Sequence, residues 1–227
     1  MLFAPGDARP ALAALYALAA ELLRIARYPD IAEIAALRLD WWSEELTRPP
    51  GRAQHPLTRA LHAAAPRLAA DPALGRFQAA LRREQGVTSY ATTADLVAAA
   101  QATWQPVVTL TACALGADID AGRLADLAIG LDLTQRLQDL GRAERHGRQW
   151  LPRDTQGDTG PAVSALVAHA TARLAQAAEP LPRVLATQRR FARALLAELA
   201  RPDARPFDAR IALTPLRMIL LAAFMRG

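Results

Sequence analysis

Asp132, Gln135 and Asp139 fall at i, i+3 and i+7 within the stretch Leu124–Pro152, LADLAIGLDLTQRLQDLGRAERHGRQWLP. On a helix that spacing stacks the three side chains along one stripe. The same pattern has a plainer reading, the solvated side of an ordinary amphipathic helix, and periodicity alone favours it.

The element that must carry these residues is a helix. Leu124, Leu127, Leu131 and Leu137 recur at steps of three and four or their sums, which is one face at helical period. The pattern predicts a break near Gly141 or Gly147, after which Arg148, Trp150, Leu151 and Pro152 lead into a loop.

The residues Gln138–Pro152 resemble the second aspartate-rich segment of squalene and phytoene synthases. In that family an Asp, three intervening residues and a second Asp are followed by Gly-Arg, an aromatic residue, Leu and Pro. Asp139 matches the first Asp, Gly147 and Arg148 the Gly-Arg pair, and Trp150, Leu151 and Pro152 the end. Ala143 stands where the second Asp belongs, Asp132 where the family usually has Gln, and Gln135 where it has Asn. Leu15–Arg27 resembles the helix of the first aspartate-rich motif, and the three Asp positions fall on Leu23, Arg24 and Arg27.

Other segments follow the family's order. Arg38–Leu46, RLDWWSEEL, is similar to its Arg/Lys-Leu-x-Trp-Trp-x-Glu-Glu segment. Tyr90–Leu96, YATTADL, is similar to the opening of its central helix, with Glu84 the nearest acidic residue upstream. Arg205–Phe224 is similar to its C-terminal turn and final apolar helix.

The resemblance implies an all-α, single-domain fold of the isoprenoid-synthase type over residues 1–227, with helices around a central cavity. It implies that Arg24, Arg27, Glu84, Asp132, Gln135, Asp139 and Arg148 belong to a cavity or diphosphate site. Asp139 is the one candidate metal ligand that it retains. Family enzymes join two prenyl diphosphates head to head, and magnesium held by facing Asp clusters stabilises the leaving diphosphate. Replacing those Asp by Leu and Arg removes the ligands, so the expectation is no cofactor, or Mg2+ if the protein is active. Arg24 and Arg27 suit direct contact with phosphate, or pairing with Glu21 and Asp139. A carboxylate of the stripe, if buried, needs a cation, and Arg24 and Arg27 are the ones the resemblance offers.

Three readings of function follow. The first is a non-catalytic family member that binds a protein partner or a prenyl lipid, similar to the mitochondrial complex I assembly factors of that family. The second is an active prenyl-diphosphate transferase with Asp132, Asp139 and Glu84 as a rebuilt metal site. The third is a peripheral module whose arginines meet anionic lipid.

Composition supports the fold class. The chain has 227 residues, 52% hydrophobic but only 5% aromatic, so its apolar content is largely Ala and Leu, both strong helix formers. All its basic side chains are Arg, and the net charge of +5 is spread along the chain rather than gathered in a block. No nucleic-acid-binding signature accompanies it, and nucleic acid is not an expected partner. The lone Cys113 excludes an internal disulfide and a cysteine-based zinc site, and its apolar surroundings predict a buried position. His55 and His62 lack a further zinc ligand in register.

Helices are predicted at Ala11–Ala26, Ile31–Leu46, Leu57–Leu68, Pro72–Arg83, Pro161–Ala178 and Leu181–Leu199. Ala11–Ala26 lacks the cationic lead of a signal peptide, and Glu21 and Arg24 continue it as an amphipathic helix. Leu96–Ala117 carries no charge, but Gln101, Thr103, Gln105 and Pro106 favour a central helix, apolar all round, over a membrane span. The expected location is the cytoplasm, with membrane association left open.

Overall fold

The computed structural model describes residues 4–155, 159–178 and 180–223. Part of the predicted loop after Pro152, and Phe224 at the end of the C-terminal segment, lie outside them. The described residues form eleven α-helices and one short 3-10 helix. Among them there is no strand, only an isolated parallel bridge between Ser89 and Gln149. The backbone gathers into two units, Met1–Val87 with Pro106–Ile119, and Thr88–Gln105 with Asp120–Gly227.

The first unit is built on α1 (Arg9–Arg27), against which α2 (Ala32–Thr47), α3 (Pro56–Ala64) and α5 (Pro72–Gln85) pack. Leu12, Leu15, Leu18, Ala19 and Leu22 of α1 are all in the core. The predicted single helix Leu57–Leu68 is instead α3 and a four-residue α4 (Pro66–Ala69). Pro66 has no N–H to continue α3, and it forces the preceding Ala65 out of helical geometry. Pro56, Pro66 and Pro72 each open a helix, where the missing donor costs nothing.

His55 is the N-cap of α3, its Nδ1 accepting from the Leu57 N–H. Trp42 is buried and meets Trp41 edge to face at 5.3 Å, so one of the paired tryptophans is core. Glu45 is sealed from solvent, and its Oε1 accepts from the backbone N–H groups of Gln54 and His55, which fixes the turn after α2.

The division between units falls inside α6 (Thr93–Ala114), at Pro106. Thr92 and Asp95 form a reciprocal capping box, Thr92 N–H donating to Asp95 Oδ2 and Asp95 N–H to Thr92 Oγ1. The helix is not apolar all round. Its first half buries one face, Leu96, Ala100 and Thr103, and only residues 106–112 are enclosed on most sides. Cys113, expected in the core, is exposed, because it lies on the outer side of the last turn after Thr111 and Ala112. No helix among the described residues is long and apolar enough to cross a membrane.

In the second unit α7 (Ala121–Gln138) is the central element, packed on α9 (Thr159–Gln176) and α10 (Arg183–Leu199). Asp120 caps its start by accepting from the Arg123 N–H. Contact with α9 is close at Gly130, where a Cβ would collide with the Leu174 side chain. The short α8 (Leu140–Arg145) follows α7, and α11 (Pro215–Ala223) follows α10.

Candidate functional site

The polar stripe of α7 is not its solvated side. Asp132 is fully buried, Asp139 is 3% exposed and Gln135 is half-buried, so the plainer reading of the pattern fails. From Leu127 to Leu137 nearly every residue of α7 is buried, and burial on all faces leaves the helix no solvent side on which to put polar groups. The helix breaks earlier than predicted, at Asp139, whose φ of −107° and ψ of 17° separate α7 from α8. Gly147, at φ 69°, then closes α8: its N–H bonds the Glu144 carbonyl and the Arg148 N–H bonds that of Ala143. This turn leaves the Arg148 side chain buried.

Each buried carboxylate has a guanidinium partner. Arg136 Nε lies 2.6 Å from Asp132 Oδ2, one turn along α7, and both side chains are shielded from water. Arg136 Nη1 donates to the Tyr90 hydroxyl at 3.1 Å, and its guanidinium carbon lies 5.5 Å from the Tyr90 ring centre and 5.2 Å from that of Trp150. Those are cation–π distances. Two backbone segments bring the rings there: Gln149 N–H bonds the Thr88 carbonyl and Arg153 N–H that of Tyr90.

Asp139 Oδ1 accepts from Arg210 Nε at 2.6 Å, and Arg210 Nη2 donates to Gln138 Oε1. The segment bearing Arg210 is held across α8 by backbone contact, Gly141 N–H donating to the Pro206 carbonyl. A Cβ on Gly141 would collide with the backbone of Phe207, so only glycine lets the two chains approach.

In the first unit, Arg27 and Glu84 form a buried bidentate pair, Nε to Oε1 at 2.9 Å and Nη2 to Oε2 at 3.4 Å. Arg24 is exposed, and both it and Arg38 pair with Glu21. The hydrogen bond to Glu21 raises the Arg24 pKa above its ordinary value. Leu23 is buried in the core. The structure therefore joins Arg27 to Glu84 but leaves Arg24 on an exposed face.

Sequence reasoning missed Arg136 and Arg210. Arg136 carried a signal, four residues after Asp132 on one helix, where opposite charges meet. Arg210 carried none, being 71 residues from Asp139. Among the described residues no three His, Cys, Asp or Glu side chains stand together as a metal site.

The helices make up the all-α isoprenoid-synthase fold. The chain is similar to the crystal structure of squalene synthase HpnC from Alicyclobacillus acidocaldarius, with a TM-score of 0.72 and 25% identity, over 86% of this chain and 84% of that one. No curated protein is significantly similar to it. The chain belongs to the squalene/phytoene synthase family, whose model matches residues 1–221.

Proposed function

We propose that this protein is a non-catalytic squalene/phytoene synthase relative that binds a protein partner or a prenyl lipid, as do the family's assembly-factor branch members that lack the aspartates. One observation carries the reading: the carboxylates left at the family's site positions are each held by an arginine. Asp132 is bound by Arg136, Asp139 by Arg210 and Glu84 by Arg27. The other metal-bearing positions hold Leu23, Arg24, Arg27 and Ala143. Magnesium needs several carboxylate or water oxygens in near-octahedral array, and this donor set does not fit it. Without such a cation the departure of diphosphate loses its main electrostatic support.

The test is release of diphosphate from farnesyl or geranylgeranyl diphosphate with magnesium. The expected result is none above background. Turnover that Asp139→Asn abolishes would establish the alternative, a prenyl-diphosphate transferase with a rebuilt metal site.

A second reading, contact with a membrane surface, is favoured by α11. Leu216, Ile219 and Leu220 share one face of that short helix and are 67%, 60% and 46% exposed. An apolar face left in water marks an interaction surface. Binding to anionic vesicles that weakens as salt rises, and that is lost on Ile219→Ser, is the outcome this reading expects.

A further inference from the structure

The helix α2 is apolar on two sides. Inward, Ala35, Leu39 and Trp42 are buried where α2 packs on α1 and α5. Outward, Ile34 and Leu37 are 51% and 68% exposed, and Trp41 is half-buried. These three fall at i, i+3 and i+7, the a and d positions of a seven-residue repeat, and so form one seam. Among the described residues, every large apolar side chain left exposed lies at α2 or on α11. An apolar seam left in water marks an interaction surface.

The charges beside the seam select its occupant. Glu33 and Arg38 are five residues apart, too far to pair on one helix, where charges meet at three or four. Five is the step from position g of one helix to position e of a parallel neighbour, the pair that sets orientation in coiled coils. The Glu33 carboxylate is exposed and has no partner among the described residues. Arg38 gives Nη2 to Glu21 at 2.8 Å with its side chain 46% exposed, so a second carboxylate can share the guanidinium. Asp40, next to Glu33 along the same edge, is held by Arg82 of α5. An antiparallel pair would set these two acids against their own copies, and an anionic membrane would meet the same acidic edge.

We propose that α2 is a self-association face, pairing in parallel with α2 of a second copy of this chain. Ile34, Leu37 and Trp41 fill the seam, and Glu33 of each copy meets Arg38 of the other. Two-fold symmetry forms both ion pairs at once. The apolar seam supplies the affinity, while the exposed pairs fix the direction. The seam is only about two turns long, so the dimer belongs to the weak, reversible class. This outer side of α2 carries none of the site residues, and the inference holds whether or not the protein turns over prenyl diphosphates.

The experiment is sedimentation velocity on the full-length protein at low salt, from low micromolar to submillimolar concentration. The expected result is a monomer–dimer equilibrium. Leu37→Glu should weaken it by about tenfold or more. Glu33→Arg and Arg38→Glu each set like charge against like and should each weaken it by about threefold or more. An equimolar mixture of those two variants should regain the wild-type association, because each copy then carries the charge the other lacks. All three substituted side chains are exposed, and the thermal midpoint of each variant is measured alongside. A chain that stays monomeric throughout overturns the proposal. So does association that survives Leu37→Glu, or that is lost on Ile219→Glu, which would place the contact on α11. A mixture no tighter than its separate components removes the parallel pairing and sinks the inference.

Discussion

Arg136 and Asp132 sit one turn apart on α7, 2.6 Å from each other, with both side chains out of reach of water. Aromatic rings of Tyr90 and Trp150 flank the guanidinium, so the cation is held by charge, hydrogen bond and π-face together. Removing one member takes from a buried charge its ion-pair partner at 2.6 Å. Arg136→Met or Asp132→Asn alone should therefore destabilise the fold by about 3–5 kcal/mol, read by urea denaturation. The double variant Asp132→Leu with Arg136→Met should recover much of that loss, because an apolar pair avoids the desolvation of both ions. A double variant as unstable as the sum of the singles would show that the pair does not act as a unit.

The contact of Gly141 with Pro206 and Phe207 makes a second prediction. In an exposed helix Gly→Ala is stabilising by about 1 kcal/mol. Here the new methyl meets the Phe207 backbone, so Gly141→Ala should instead cost about 1–3 kcal/mol. Amide exchange should quicken along residues 206–210, where the segment is pushed from α8.

A third concerns pH. Burial, and secondarily the nearby charge of Arg173, lower the pKa of His169 below the ordinary histidine value. Its Nε2 accepts from Arg173 Nε at 3.4 Å, a bond that only the neutral ring can make. Between the lowered pKa and the unfolded value of about 6.5, the unfolded chain binds more protons than the native one. Stability should thus fall as pH drops through about 6.5 and level off below the folded pKa. His169→Gln should flatten that part of the profile of thermal midpoint against pH.

The helices were legible because the chain writes them in Leu and Ala at helical period: α1 and α10 begin and end within two residues of the segments predicted from it. What failed was what depends on neighbours far along the chain. The stripe Asp132, Gln135, Asp139 looks solvated by pattern, and only the packing around α7 encloses it. The break falls at Asp139, two residues before Gly141, whose N–H bonds the Pro206 carbonyl, a partner far along the chain. Cys113 misled because an uncharged run says nothing about which side of the final turn faces out.

The way the two units share the chain also constrains how the protein can be made. Residues 88–105 belong to the second unit, yet the chain then supplies 106–119 to the first before returning. No single cut releases either unit whole, and a fragment ending at Val87 lacks the stretch that gives Tyr16 its hydrogen bond to Thr111. On the ribosome, the first unit cannot be completed until residue 119 has emerged, by which time part of the second is already in solution. Truncation libraries and split-protein reporters built on this chain should therefore keep it in one piece.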